Sequence, residues 1–122
     1  MRLTMRDPKA LSLFGEVLKR TEAGKIPWQP TAEDGHFIAS MMGKYTLDLR
    51  PHSTQYDWST PPSVAFNDEK GNTLIEMNDT VEGITADELR ALAVFARRIA
   101  LQADQRIDEL LEELKKENDI PF

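Results

Sequence analysis

Apolar residues recur at two different periods along the chain, and the switches between them divide it into three stretches. In the first, Leu11, Phe14, Val17 and Leu18 fall at helical spacing and make one apolar stripe. Asp7-Pro8 supplies a start, with Asp as N-cap and Pro at the tolerated first position. Thr21 and Gly24 close the element, and Lys25-Ile26-Pro27 stops any continuation. These signals predict a helix over about residues 8–23.

From Trp28 to Asp79 the period falls towards two. Phe37, Ala39 and Met41 alternate, as do Tyr45, Leu47 and Leu49. The turn around Gly43 permits two registers. A loop over Met42–Lys44 puts both sets on one face, whereas a tighter Gly43-Lys44 loop sets Ile38 and Met42 opposite the tyrosine and leucines. A one-residue slip flips a strand's face, so the pattern leaves both open. Thr46, Asp48 and Arg50 fall on the polar face under either pairing, as in an antiparallel sheet covered on one side. A second hairpin runs from Val64 and Phe66 through a turn at Asp68–Asn72 to Ile75 and Met77. Trp28, at the exit of the first helix, is expected in the core.

The last stretch opens on Thr85-Ala86-Asp87-Glu88, a capping box. Leu89, Leu92, Phe95 or Ala96, Ile99, Ala103, Ile107, Leu110, Leu111 and Leu114 follow, with no Gly or Pro before Pro121. This predicts one uninterrupted helix over about residues 86–117, roughly 48 Å long. A compact chain of this size is only about 35 Å across. The final turns therefore project from the body or fold back on it, although Ile107, Leu110, Leu111 and Leu114 are too apolar to stay in water. Three coverings are open: the first helix, the same helix of a second copy, or a different protein. The whole chain, residues 1–122, reads as a single α+β domain. Its expected architecture is an antiparallel four-stranded meander, with strands within residues 28–79, covered on one face by the N-terminal helix and the long C-terminal helix.

Composition narrows the function classes. The chain has no cysteine, which excludes disulfides, Cys-ligated zinc, iron–sulfur clusters and thiol nucleophiles. Its net charge of −6 argues against general nucleic-acid binding. The acidity is uneven. Residues 1–60 carry 8 basic and 7 acidic side chains, but residues 61–122 carry 7 and 14. Apolar runs are far short of a membrane span, and residues 1–8 hold no apolar leader, so a cytoplasmic protein that does not enter the membrane is expected.

Little of the chain advertises chemistry. His36 and His52 are its only histidines, and no spacing suits a metal, so no metal or other cofactor is expected. No phosphate-binding glycine loop or nucleophile elbow occurs. Two surfaces stand out instead. The loop from Arg50 to Pro62 gathers Arg50, His52, Gln55, Tyr56 and Trp58, with the aromatics and arginine that dominate binding hot spots; the alternative is that Tyr56 or Trp58 folds under the loop as a hydrophobic plug. The end of the last helix combines Leu110, Leu111 and Leu114 with Glu109 and Glu113, a face suited to docking.

The segment Leu13-Phe14-Gly15-Glu16-Val17-Leu18-Lys19-Arg20-Thr21-Glu22-Ala23-Gly24-Lys25-Ile26-Pro27-Trp28 resembles the opening of a group of small bacterial proteins. In these a helix ends in a Thr-x-x-Gly-Lys-x-x-Trp type segment before a strand meander, and the likeness extends to Ala96-Arg97-Arg98. The resemblance implies a helix–meander–helix layout and no particular activity. The chain departs from it in its longer 55–62 loop. The α–β–α order and acidic balance also look like those of the dimeric type III secretion chaperones, which generally have more strands and a further helix.

The expected function is a small acidic adaptor that binds another macromolecule and self-associates through its C-terminal helix, with an unidentified protein as a further partner. One alternative is a small hydrolase-like enzyme using His36 or His52, which requires a pocket gathering the imidazole with carboxylates and a hydroxyl. The other is an acidic chaperone or an inhibitor that mimics nucleic acid.

Overall fold

The computed structural model describes residues 6–51 and 61–117. Helix α1 spans Pro8–Glu22, capped by the Asp7 side chain, which accepts from the Ala10 N–H at 3.1 Å. Ala10, Phe14, Val17 and Thr21 are its buried positions, the four-, three- and four-residue steps of one helical face. The chain leaves α1 through Gly24 at φ 74°, a left-handed conformation that glycine adopts without a Cβ clash.

Five strands follow: β1 Gln29–Pro30, β2 Phe37–Met41, β3 Tyr45–Arg50, β4 Ser63–Asn67 and β5 Thr73–Met77. They form one antiparallel meander in sequence order. Phe37 lies opposite Leu49, Ala39 opposite Leu47 and Met41 opposite Tyr45. The first hairpin therefore turns through Met42-Gly43-Lys44, and both apolar sets share one face. Phe37, Ala39, Leu47, Leu49, Val64 and Met77 are buried there.

Two helices cover that face. Helix α2, Ala86–Ala100, starts at the expected capping box: Thr85 Oγ1 accepts from Glu88 N–H at 3.1 Å, and the Glu88 carboxylate accepts from Thr85 N–H at 3.2 Å. It packs on α1 and on β1 and β2, while α1 also packs on β5. Leu89, Leu92 and Ala96 of α2 complete the core with Phe14, Ile26 and Trp28. Trp28 is the expected anchor, and its indole N–H donates to Thr21 Oγ1 at 2.9 Å inside the core.

Two features correct the expected layout. The sheet has five strands rather than four, because Gln29 and Pro30 pair with Ile38 and Phe37. Both residues are exposed, so no apolar alternation marks this strand, and Pro30 lacks an N–H donor, which an edge strand tolerates. The long C-terminal helix is divided. A third helix, α3, runs Ala103–Glu117 after a break at Leu101–Gln102. Gln102 takes φ 52°, its N–H donates to Ile99 O and its carbonyl accepts from Arg106 N–H, both at 3.0 Å. One residue thus closes α2 in the left-handed conformation and opens α3. Packing accounts for the position of the break: Ile99 and Ala100 are the last residues of α2 against the core, and Leu101 stays half-buried beside Pro30 and Phe37.

Candidate functional site

The open face of the sheet carries a polar chain of four residues. His36 precedes β2, and the pairing of Ile38 with Asp48 brings its imidazole beside β3. His36 Nε2 lies 2.6 Å from Asp48 Oδ1, with the two side chains only 14% and 11% exposed. Nδ1 lies 3.0 Å from Thr31 Oγ1. On the other side Arg50 donates through Nε and Nη2 to the two Asp48 oxygens, both at 3.3 Å. Hydrogen bonding to Asp48, reinforced by its charge, raises the Arg50 pKa above its ordinary value.

The order hydroxyl, imidazole, carboxylate is the one nucleophilic catalysis uses, but here the hydroxyl is engaged in a turn. Thr31 Oγ1 accepts from Glu33 N–H at 3.1 Å and lies 3.4 Å from Glu33 O. Thr31 also faces a shallow cavity of about 310 Å³ with Glu33, Asp34 and Arg97, yet His36 and Asp48 do not line it. The arrangement ties the 31–36 connection to β3.

A larger hollow of about 430 Å³ lies between the two hairpin turns, with Lys44, Tyr45, Asn67 and Asp68 in its wall. Asp68 is committed to its own turn. It accepts from the Lys70 and Asn72 N–H groups, both at 2.9 Å. The Asn72 backbone bond is the main cause of its lowered pKa. Among the described residues no three His, Asp or Glu side chains gather as metal ligands, and no helix is long and apolar enough to cross a membrane.

The third arrangement is α3 itself. Ile107, Leu110, Leu111 and Leu114, at the i, i+3, i+4 and i+7 positions, are 51%, 59%, 48% and 46% exposed. Among the described residues the main packing partner of α3 is α2, to which it is joined. The first helix does not cover this stripe, so the intramolecular covering considered from the sequence is not realised in the described structure. On the flanks and rear, Gln105 Nε2 donates to Glu109 at 3.5 Å, and Lys116 Nζ approaches Glu113 at 3.4 Å. Arg106, Asp108, Glu112 and Lys115 are exposed as well.

The residues singled out from sequence thus separate. Leu110, Leu111, Leu114, Glu109 and Glu113 share α3, whereas Arg50 stands at the far end of β3, paired to Asp48. His52, Tyr56 and Trp58 lie outside the described residues. The exposed stripe also contains Ile107, which its helical spacing already marked. The His36–Asp48 contact carried no such signal, because it joins residues 12 apart through strand register. No protein-family profile, curated protein or solved structure matches this chain.

Proposed function

We propose that the chain is a protein-binding module that works through α3, with the α1–α2–sheet body as the scaffold that presents it. One observation carries this reading: four large apolar side chains stand about half exposed along a single stripe of a helix that leaves the body. A contiguous apolar stripe of this kind marks an interaction surface more often than a solvated one. Burying one such side chain contributes on the order of 1.5–3 kcal/mol, so a partner that covers the stripe gains substantially. The acidic rear of the helix keeps the unbound surface hydrated. The polar chain Thr31–His36–Asp48–Arg50 acts in this reading as a brace rather than as a reaction centre.

Site-specific photo-crosslinking tests the proposal in cells that express the full chain. A photoreactive residue replacing Leu110 is expected to trap one or a few defined products. The same residue replacing Glu69, in the exposed turn of the second hairpin, serves as control and is expected to trap none of them. Identical patterns from the two positions would overturn the proposal.

A further inference from the structure

Resting on the reading of α3 as the binding surface, we infer that its occupant is the α3 helix of a second copy, packed antiparallel. The charges beside the stripe carry the inference. At about 100° per residue, Arg106 and Glu113 lie along one edge of the apolar stripe, and Asp108 and Lys115 lie along the other. Each edge therefore bears one opposite-sign pair seven residues apart, in opposite order along the helix, and by the same spacing Asp104 and Glu117 add one acid to each edge.

A twofold axis between antiparallel helices sets each edge against the same edge of the partner with its direction reversed. Arg106 then faces Glu113 of the partner subunit and Glu113 faces the partner's Arg106. On the other edge Asp108 meets the partner's Lys115, and Lys115 meets the partner's Asp108. Between them Ile107 packs near the partner's Leu114, and Leu110 packs near the partner's Leu111. Every apolar side chain of the stripe is used and each of these four edge charges finds its opposite.

A parallel pair also matches its edges, through Arg106 with Asp108 of the partner subunit and Glu113 with the partner's Lys115. The ends of the helix decide between the two directions. From Asp108 onward α3 carries five acids against two lysines, whereas its first five residues carry one acid, Asp104, and one base, Arg106. Parallel packing sets acidic half against acidic half and aligns the two helix dipoles. Antiparallel packing sets each acidic half against the charge-balanced start of the other copy's helix and opposes the dipoles. A pair of 15-residue helices buries less than a standard stable interface, so a dissociation constant on the order of micromolar is expected.

Analytical ultracentrifugation of the full chain over about 1 µM to 1 mM, with charge-swap variants, tests the inference. The parent chain is expected to pass from monomer to dimer across this range. Arg106→Glu alone sets acid against acid at two symmetric places and weakens dimerisation by about tenfold. Arg106→Glu with Glu113→Arg exchanges the partners and restores the parent affinity to within about threefold. Arg106→Glu with Asp108→Arg would restore only a parallel pair, so recovery in that variant and not in the former overturns the inference. A dimer indifferent to all three variants does the same, as does a chain that stays monomeric at 1 mM. If the monomeric chain still gives Leu110-specific crosslinks to another protein, only the second copy is lost and the binding role of α3 stands; without such crosslinks both fail. Unchanged circular dichroism in the variants ensures that a loss reports on association rather than unfolding.

Discussion

Gln102 gives the sharpest test of the architecture, because the broken and the continuous helix predict opposite signs for one substitution. In the structure Gln102 holds φ 52° between α2 and α3. The left-handed conformation costs a residue with a Cβ roughly 1–2 kcal/mol, a cost that glycine escapes. Glycine also gains freedom in the unfolded chain, which offsets about 0.4–1 kcal/mol of that relief. Gln102→Gly is therefore expected to stabilise the protein by about 0.5–1 kcal/mol. In an uninterrupted helix the same change would destabilise it by about 0.5 kcal/mol, the difference in helix propensity between glutamine and glycine. Gln102→Val adds a second comparison, since a β-branched residue at positive φ is strained and should lose at least about 1 kcal/mol. Urea unfolding followed by circular dichroism measures all three chains, at low micromolar concentration so that association does not contribute. A destabilised Gln102→Gly would refute the break and restore a single long helix.

Three further outcomes are expected. Thr21→Val preserves shape but leaves the buried Trp28 indole N–H without its acceptor, and should cost about 1–3 kcal/mol in urea unfolding; a loss within about 0.3 kcal/mol of zero would mean that the 2.9 Å bond does not form. Asp48→Ala removes the shared acceptor of His36 and Arg50. The nearly buried His36 contact should account for most of a loss of about 1.5–3 kcal/mol, while the exposed Arg50 side contributes little. An Asp48→Ala chain as stable as the parent would remove the brace role. The Asp68 carboxyl should titrate below the ordinary value of about 3.9, as followed by its NMR chemical shift. Because its folded pKa is lowered, the stability it contributes is complete above the unfolded pKa and is lost as pH falls through the folded pKa. A midpoint at or above 3.9 would show that the Asn72 and Lys70 bonds do not hold in solution.

Much of this fold is local and could be read from the chain. The Asp7-Pro8 start, the Thr85–Glu88 capping box and the period-two strands depend on neighbours within a few residues, so their signals sit side by side in the sequence. The same holds for the α3 stripe, since the i, i+3, i+4, i+7 pattern of Ile107 to Leu114 is a property of one helix. Its exposure is another matter. Nothing in that spacing separates a stripe under α1 from one left uncovered, and that difference is the basis of the proposed function. The register at Gly43 was likewise open to the pattern, and the pairing of Met41 with Tyr45 closes it.

The amino-acid order thus determines which segments are helix or strand and which face of each is apolar, because backbone propensity, capping and side-chain alternation act over one or two turns. Where those faces meet is set over longer distances. Gln29 and Pro30 become a strand because β2 lies alongside, and His36 meets Asp48 because two hairpin strands align. The 86–117 stretch divides at Gln102 without Gly or Pro, where the core under α2 ends, and the α3 that follows has its apolar side exposed. Such contacts join residues whose separation along the chain carries no pattern, so they exist only once the sheet and helices have packed.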